Sequence, residues 1–554
     1  MAEYEIKDGV GIIPAGITCV SMDIFTNSEE LTSVVIPDSV KEIGNRAFEG
    51  CINLTNIVIP SSVTEIGFNA FAGCTSLTNI VIPSSVTRIG SEAFNGVKSM
   101  VVEKGNKVYD SRNNCNAIIE TTTNELIAGC ENTIIPDSVT VIGFHAFADC
   151  KDLTAIAIPN SVKIIRDNAF QGCCALTSIE IPDSLTEIGR EAFEGCTSLK
   201  NIVIPDSVTN IGWHTFNGCS GLENIKVSDG NTIYDSRNSC NAIIETTTNV
   251  LIRGSKNSII PDSITEIGEY AFDGIRDLTN IAIPNSVTCI NKGAFEDCIG
   301  LTNITIPDTV TKIEYSAFSG CTGLSSIVIP EKVTEINTLI FDRCSGLTKI
   351  KVSETNKTYD SRNNCNAIIE TTTNKLIAGC KNTIIPNSVT EIGNYAFYGC
   401  TGLSCISIPN SVTMINNYAF QGCTDLTSIN ISNSVTRIGH CAFKGCQKLT
   451  DIVIPDSVSI IGDGAFEGCT NLKSIVIPDS VTDLEYSPFT DCSKLESVTF
   501  PKAVKKIDTL IFEGCTALKT IMIPSKRTDY YKKRLPEELH HLIVELPPVK
   551  KAKK

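Results

Sequence analysis

Histidine is scarce in this chain, with 5 among 554 residues, and tryptophan occurs once. The 25 cysteines include no C-x-x-C pair and have no histidine cluster beside them, so the usual ligand set of a structural metal centre is missing. No GxSxG, HExxH, P-loop or dinucleotide fingerprint occurs, which removes the familiar signatures of several enzyme classes. No apolar run has the length of a membrane-spanning helix. The start, MAEYEIKDGVGIIP, lacks the basic residues and apolar core of a secretory leader. That leaves a cytoplasmic location, a leader already removed, or another export route. Basic residues are outnumbered as well: the net charge is −16 and the pI about 4.9, which argues against nucleic acid or anionic lipid as the main partner.

What the chain has in abundance is repetition. Pro37, Pro60 and Pro83 are 23 residues apart, as are Pro136, Pro159, Pro182 and Pro205, then Pro261, Pro284, Pro307 and Pro330. The same step runs from Pro386 and Pro409 through Ser432 to Pro455, Pro478, Pro501 and Pro524. A unit this short cannot bury its own apolar face, so neighbouring units must stack around one continuous interior.

Cys51 to Gly73, CINLTNIVIPSSVTEIGFNAFAG, is the type unit. Leu54, Ile57 and Ile59 have the spacing of a short strand with one buried side, ended by Pro60. Ser61 and Ser62 make a turn, Val63 and Ile66 a second short strand. Gly67 permits a corner, after which Ala70 and Phe71 point inward from a helical or 3₁₀ turn. Fifteen cysteines share the register of Cys51, nine residues before the proline position. Such a column stacks at about 4.8 Å. Parallel Cβ vectors hold the Cβ atoms apart, whereas a disulfide needs them at about 3.8 Å, so free thiols serving as small hydrophobes are expected.

Runs such as LTNIVIPSSVTEIGFNAF and LKSIVIPDSVTDLEYSPF resemble the leucine-rich repeat family, specifically its BspA-like (Treponema-type) subclass, from about Gly11 to Pro524. The resemblance implies a parallel β-sheet on one face of an arc, with helical turns opposite. It also implies a bacterial or protist surface protein that binds host or partner proteins, with a link to adhesion. The expected fold class is therefore an α/β repeat solenoid of about 22 coils with short second strands and helical or 3₁₀ turns elsewhere. Its arc would run on the order of 100 Å.

Three 33-residue units interrupt the period, at about 103–136, 228–261 and 353–386. Each carries a version of YDSRNNCNAIIETTTNELIAG, beginning at Tyr109, Tyr234 and Tyr359, and reads as two strands joined by the polar TTTN turn. Near-identity of the copies is consistent with simple duplication. Before the first copy, the connection through Gly96 and Val97 is three residues short and lacks the column cysteine. Residues 1–18 are expected to cap the repeat region 19–524, and 525–554 to form a C-terminal cap with an amphipathic helix over Pro536 to Leu546 and a solvated basic tail.

On the sheet, the positions four and two residues before each proline point outward. One column is polar, including Asn56, Asn79 and Asn201; the other is β-branched, including Val35, Val58, Val81, Val203, Val328, Val453 and Val476. Strand propensity and stacked amides explain both columns. A partner-binding face with an apolar stripe explains them equally, and the two readings are compatible. Three function classes compete. A glycan-active solenoid enzyme would need two paired carboxylates, but Glu180 and Asp451 each lack an acidic neighbour. The S-x-T array (Ser62 and Thr64, Ser85 and Thr87, Ser138 and Thr140) could order water or ice, although surface strand propensity accounts for it. Trp213 with His214, and His540 with His541, are expected at the surface. The sequons at Asn53, Asn303 and Asn356 matter only in a glycosylating secretory pathway. The expectation is a non-enzymatic protein-binding scaffold, its partner a protein such as a host or extracellular-matrix protein. No catalytic residue, cofactor, metal, nucleic acid, membrane span or small-molecule substrate is assigned. The family resemblance points to the cell surface or secretion, and an intracellular scaffold is the alternative.

Overall fold

Isoleucines alternate with polar or β-branched residues ahead of each proline, the period that buries one side of a strand. The computed structural model, which describes residues 4–547 except 485, 503, 505 and 506, forms strands of three or four residues there in many coils, such as Asn56–Val58 and Asn201–Ile204. The next proline cannot donate to a ladder. Its carbonyl closes a turn instead: Val63 N donates to Pro60 O at 3.0 Å. A two-residue second strand follows, Glu65–Ile66 in the same coil. Both strand positions pair in parallel with the neighbouring coils, so that Val35 faces Val58 and Ile43 faces Ile66. The fold is a parallel-strand β-solenoid of about 23 turns.

Its corner differs from the expected helical or 3₁₀ turn. Arg46, Asn69 and Glu92, one per coil, have φ of 56°, 53° and 58°. A left-handed residue cannot continue a right-handed helix. The phenylalanine N–H is thereby released to the next coil: Phe48 N donates to Ala70 O at 2.9 Å and Phe71 N to Ala93 O at 2.8 Å. The rings of Phe25, Phe48, Phe71 and Phe94 stack at 5.6, 5.3 and 5.7 Å, nearly parallel. Among the described residues α-helix is confined to Thr528–Lys532. The 3₁₀ segments lie in the long units and at Glu537–Leu542.

The chain divides into two compact units, Met1–Pro261 with Phe272–Ile275, and Asp262–Ala271 with Arg276–Lys554. The first opens with an antiparallel pair, Glu5–Lys7 and Val10–Ile12, whose second strand runs parallel to Ser33–Val35. Its interior repeats Leu, Ile, Val, Ala, Phe and Cys in columns, as in Leu54, Ile57, Val63, Ala70, Phe71 and Cys74. The second unit carries the same columns from Cys365 to Leu535. At its C-terminal end the expected helix over Pro536 to Leu546 is replaced by 3₁₀ turns, Glu537–Leu542, and a strand, Ile543–Glu545. That strand pairs in parallel with Thr520–Ile523, covering an edge that would otherwise expose unpaired backbone. Beneath it Tyr531 is fully buried, and its hydroxyl donates to Pro501 O at 2.5 Å.

Each long unit is an antiparallel meander. In the first, Tyr109–Asp110 pairs with Ile118–Glu120, which pairs with Glu125–Ala128. The last of these strands then lies parallel to Val141–Ile142, occupying the second-strand position of a coil. No Ala-Phe corner exists in the meander. The rings of Phe147, Phe272 and Phe397 therefore rest on glycine backbone, and a Cβ at Gly129, Gly254 or Gly379 would lie 2.1, 2.2 or 2.1 Å from them. One asparagine clasps each meander to the coil before it. Asn231 Nδ2 donates to Pro205 O and Val208 O at 2.8 and 2.9 Å, while its Oδ1 accepts from Ile233 N and Tyr234 N. Asn106 and Asn356 do the same. Asp235 and Arg237 form a bidentate pair that also reaches Asn249, repeated at Asp110–Arg112 and Asp360–Arg362. These satisfied networks give the near-identical copies a structural reason.

Candidate binding surface

The strand before each proline turns alternate side chains away from the interior, and the candidate valines project there. Val58 is 71% exposed and Val453 78%. In the first unit Ile12, Val35 and Val58 are successive ladder partners, and Val81 faces Val101 in the next short sheet. All five are exposed, one per coil. Asn56 shares a strand with Val58, and Asn79 lies just before Ile80–Ile82. Farther along this unit the apolar column is broken. Val203 faces Lys226, and Glu180 faces Ala157. Asn201 accepts a hydrogen bond from Asn224 Nδ2 at 2.7 Å, an amide ladder. In the second unit Val328 faces Lys351 and Val476 faces Thr499, while Val453 lies outside any assigned strand. The structure thus brings Val35, Val58 and Val81 into one run and leaves the other candidate valines interrupted by polar partners.

Ile12 and Val101 belong to that run and are not among the residues expected there from sequence. Nor are Ile134, Ile259 and Ile384, each about three-quarters exposed. A signal existed: Ile12, Ile134, Ile259 and Ile384 all sit two residues before a proline. Val101 precedes Glu103 instead, so proline register could not find it.

Other candidate features have internal roles. Thr64, Thr87, Thr186 and Thr209 each donate their hydroxyl proton to a carbonyl of the preceding coil, and Ser62 donates to Val40 O at 2.6 Å. Those protons are spent inside the stack rather than offered to ice or ordered water. Column cysteines behave likewise: Cys51, Cys74 and Cys173 donate to Phe25 O, Phe48 O and Phe147 O at 3.0 to 3.1 Å. All 25 cysteines are free. Burial pushes the Cys51 thiol up to about 11 and Cys469 to about 12. Trp213 is largely exposed, and His214 beside it has φ 60° and its Nδ1 lies 2.7 Å from Asn217 Nδ2. His540 and His541 donate to the carbonyls of Leu535 and Glu538. Asn356 is buried in its clasp, so that sequon is closed to glycosylation in the folded chain, whereas Asn53 and Asn303 are exposed. Among the described residues no three histidine, cysteine, aspartate or glutamate side chains converge to hold a metal ion, and no helix is long and apolar enough to cross a membrane.

Comparison with a family model agrees with this architecture. A model of the BspA type leucine rich repeat region matches residues 11–117, 119–241, 254–369, 368–455 and 436–535. A leucine rich cell surface protein from Faecalibacterium prausnitzii A2-165 is 30% identical, covering 71% of this chain and 92% of its own, with a TM-score of 0.44. A leucine-rich repeat protein from Bacteroides ovatus is 25% identical over 88% of each chain, with a TM-score of 0.30. One from Eubacterium ventriosum is 22% identical over 81% of this chain and 94% of its own, at 0.39. No curated protein matches. Matched over nearly its whole length, the chain belongs to the BspA-type leucine-rich repeat family.

Proposed function

We propose that the protein is a non-enzymatic scaffold that binds a protein partner through the outward sheet face of its first unit. The observation carrying this reading is the run Ile12, Val35, Val58, Val81 and Val101, five exposed apolar side chains on successive coils. Contiguous exposed apolar area marks interaction surfaces more often than scattered residues do. The side chains beneath it, including Ile57 and Ile80, are buried in the interior, so the platform is rigid and its display does not depend on loop order. The finer role we infer is adhesion or contact with a host or matrix protein; the similar Faecalibacterium protein is described as a cell surface protein.

A second reading, an intracellular interaction scaffold, draws on the 25 free thiols, which suit a reducing compartment. Protease treatment of intact source cells separates the two addresses: digestion of the chain supports the surface, and protection supports the interior. For the binding face, wild type and V58D/V81D are compared in cross-linking to a partner identified on the native source. The variant should melt with wild type and lose that cross-link. Undiminished cross-linking by a folded V58D/V81D rejects the sheet-face reading.

A further inference from the structure

The three long units rejoin the solenoid in different ways. After the second, Gly218 N donates to Asp273 Oδ2 at 3.0 Å, and a Cβ on Gly274 would sit 3.3 Å from Gly218 Cα, so the corners close. After the third, a Cβ on Gly399 would be 2.3 Å from Asp342 Oδ1 and 3.0 Å from Arg343 N, again closed. The first differs on both sides. Its entry through Gly96 and Val97 is three residues shorter, and Ala148 and Asp149 stand where Asp273 and Gly274 stand in the second copy. A groove of 380 Å³ remains open, lined by residues from Asn27 to Asp152.

The lining has more acceptors than the chain itself uses. Of its five carboxylates Glu49 is paired with Arg46, and the two ammonium groups of the lining, Lys98 and Lys151, are on exposed positions. Asn69 Oδ1 is buried and accepts no hydrogen bond. Asn95 is only 9% exposed, and no hydrogen bond reaches its amide from the described residues. Elsewhere in this unit a buried asparagine is fully used, as Asn231 is. Asn95 lines the groove, so its unused amide points to a ligand that brings donors there. Glu92, Glu131 and Asp149 approach from three separate segments, and His145 Nδ1 lies 3.6 Å from Glu92 Oε1. A rigid, planar, always charged group with several N–H donors fits such a set better than a compact ammonium.

We propose that this groove receives an arginine side chain from a basic segment of a partner protein. The site lies at the corner turns and stands or falls separately from the sheet-face reading. The full chain is titrated at physiological salt with acetyl-Gly-Arg-Gly-amide and with its citrulline counterpart, which keeps the shape without the charge. Saturable binding of the arginine peptide alone is expected. D149N, which keeps a residue tolerant of the left-handed backbone at φ 57°, and N95L should each weaken it roughly tenfold, because each removes a hydrogen bond to a charged donor. E180Q/D183N removes two charges from another face and should leave it unchanged. Equal binding of the citrulline peptide, no binding at all, or equal losses in D149N and E180Q/D183N would overturn the assignment. D149N decides the matter if N95L lowers the melting temperature.

Discussion

Replacing Gly129 with alanine tests how a long unit joins the stack. The added methyl would lie 2.1 Å from Phe147 Cε1 and 2.5 Å from its Cζ. Carbon atoms prefer about 3.5–4.0 Å, so one or the other must move by roughly 1.5 Å. The ring cannot yield easily: Phe147 is fully buried and stacks on Phe170 at 5.0 Å with planes 5° apart. Overfilling of this kind costs about 1–3 kcal/mol. Gly129 is not in the left-handed region, so alanine also recovers about 0.4–1 kcal/mol by restricting the unfolded chain. The expected net loss is about 1–2 kcal/mol. Coils in a solenoid depend mainly on their neighbours, so the loss should be local. Hydrogen exchange should show faster opening around Val141–Ile142 and Phe147, with a smaller effect near Phe25. Phe147→Leu removes the ring atoms that clash, so G129A/F147L should cost less than the two single changes together. A G129A chain as protected as wild type, or strict additivity with F147L, would refute the contact argument.

Asn231→Ala should cost about 2–4 kcal/mol, since it strands two carbonyls and two N–H groups at once; unchanged urea unfolding would count against the clasp. Phe71→Ala should cost about 3–5 kcal/mol because it empties a stacked column, whereas Val58→Ala on the exposed face should change the unfolding midpoint little. Buried thiols such as Cys51, raised to about 11 from 9.0, stay protonated in the folded chain at a pH where the unfolded chain ionises. The folded state then binds more protons, so stability is complete below about pH 9 and falls as pH rises toward 11. Denaturation midpoints at pH 8 and 10 measure this. A C51A/C469A variant should show a smaller drop, and an identical drop would remove the thiols as its cause.

Legibility followed the period. Wherever 23 residues return the chain to the same column, inward and outward positions could be assigned from alternation alone, because a ladder forces Val35 and Val58 to share one side. The corner departs from a helical or 3₁₀ turn although its apolar spacing suits one, and the decisive left-handed residue varies in type among arginine, asparagine and glutamate. Contacts made where the period fails were invisible for another reason. Gly129 meets Phe147 only because a meander has displaced a corner, and no local pattern announces that approach. The same holds at Gly96. Its shortened connection could be counted in the sequence, but the groove beside it appears only when Glu131 and Asp149, far along the chain, come to the same corner. Repetition therefore identifies the sheet face, and departures from repetition identify the corner groove. Any residue-specific recognition by this protein should concentrate at those departures, since an array of equivalent coils presents the same side chains many times and offers little to choose between neighbouring registers.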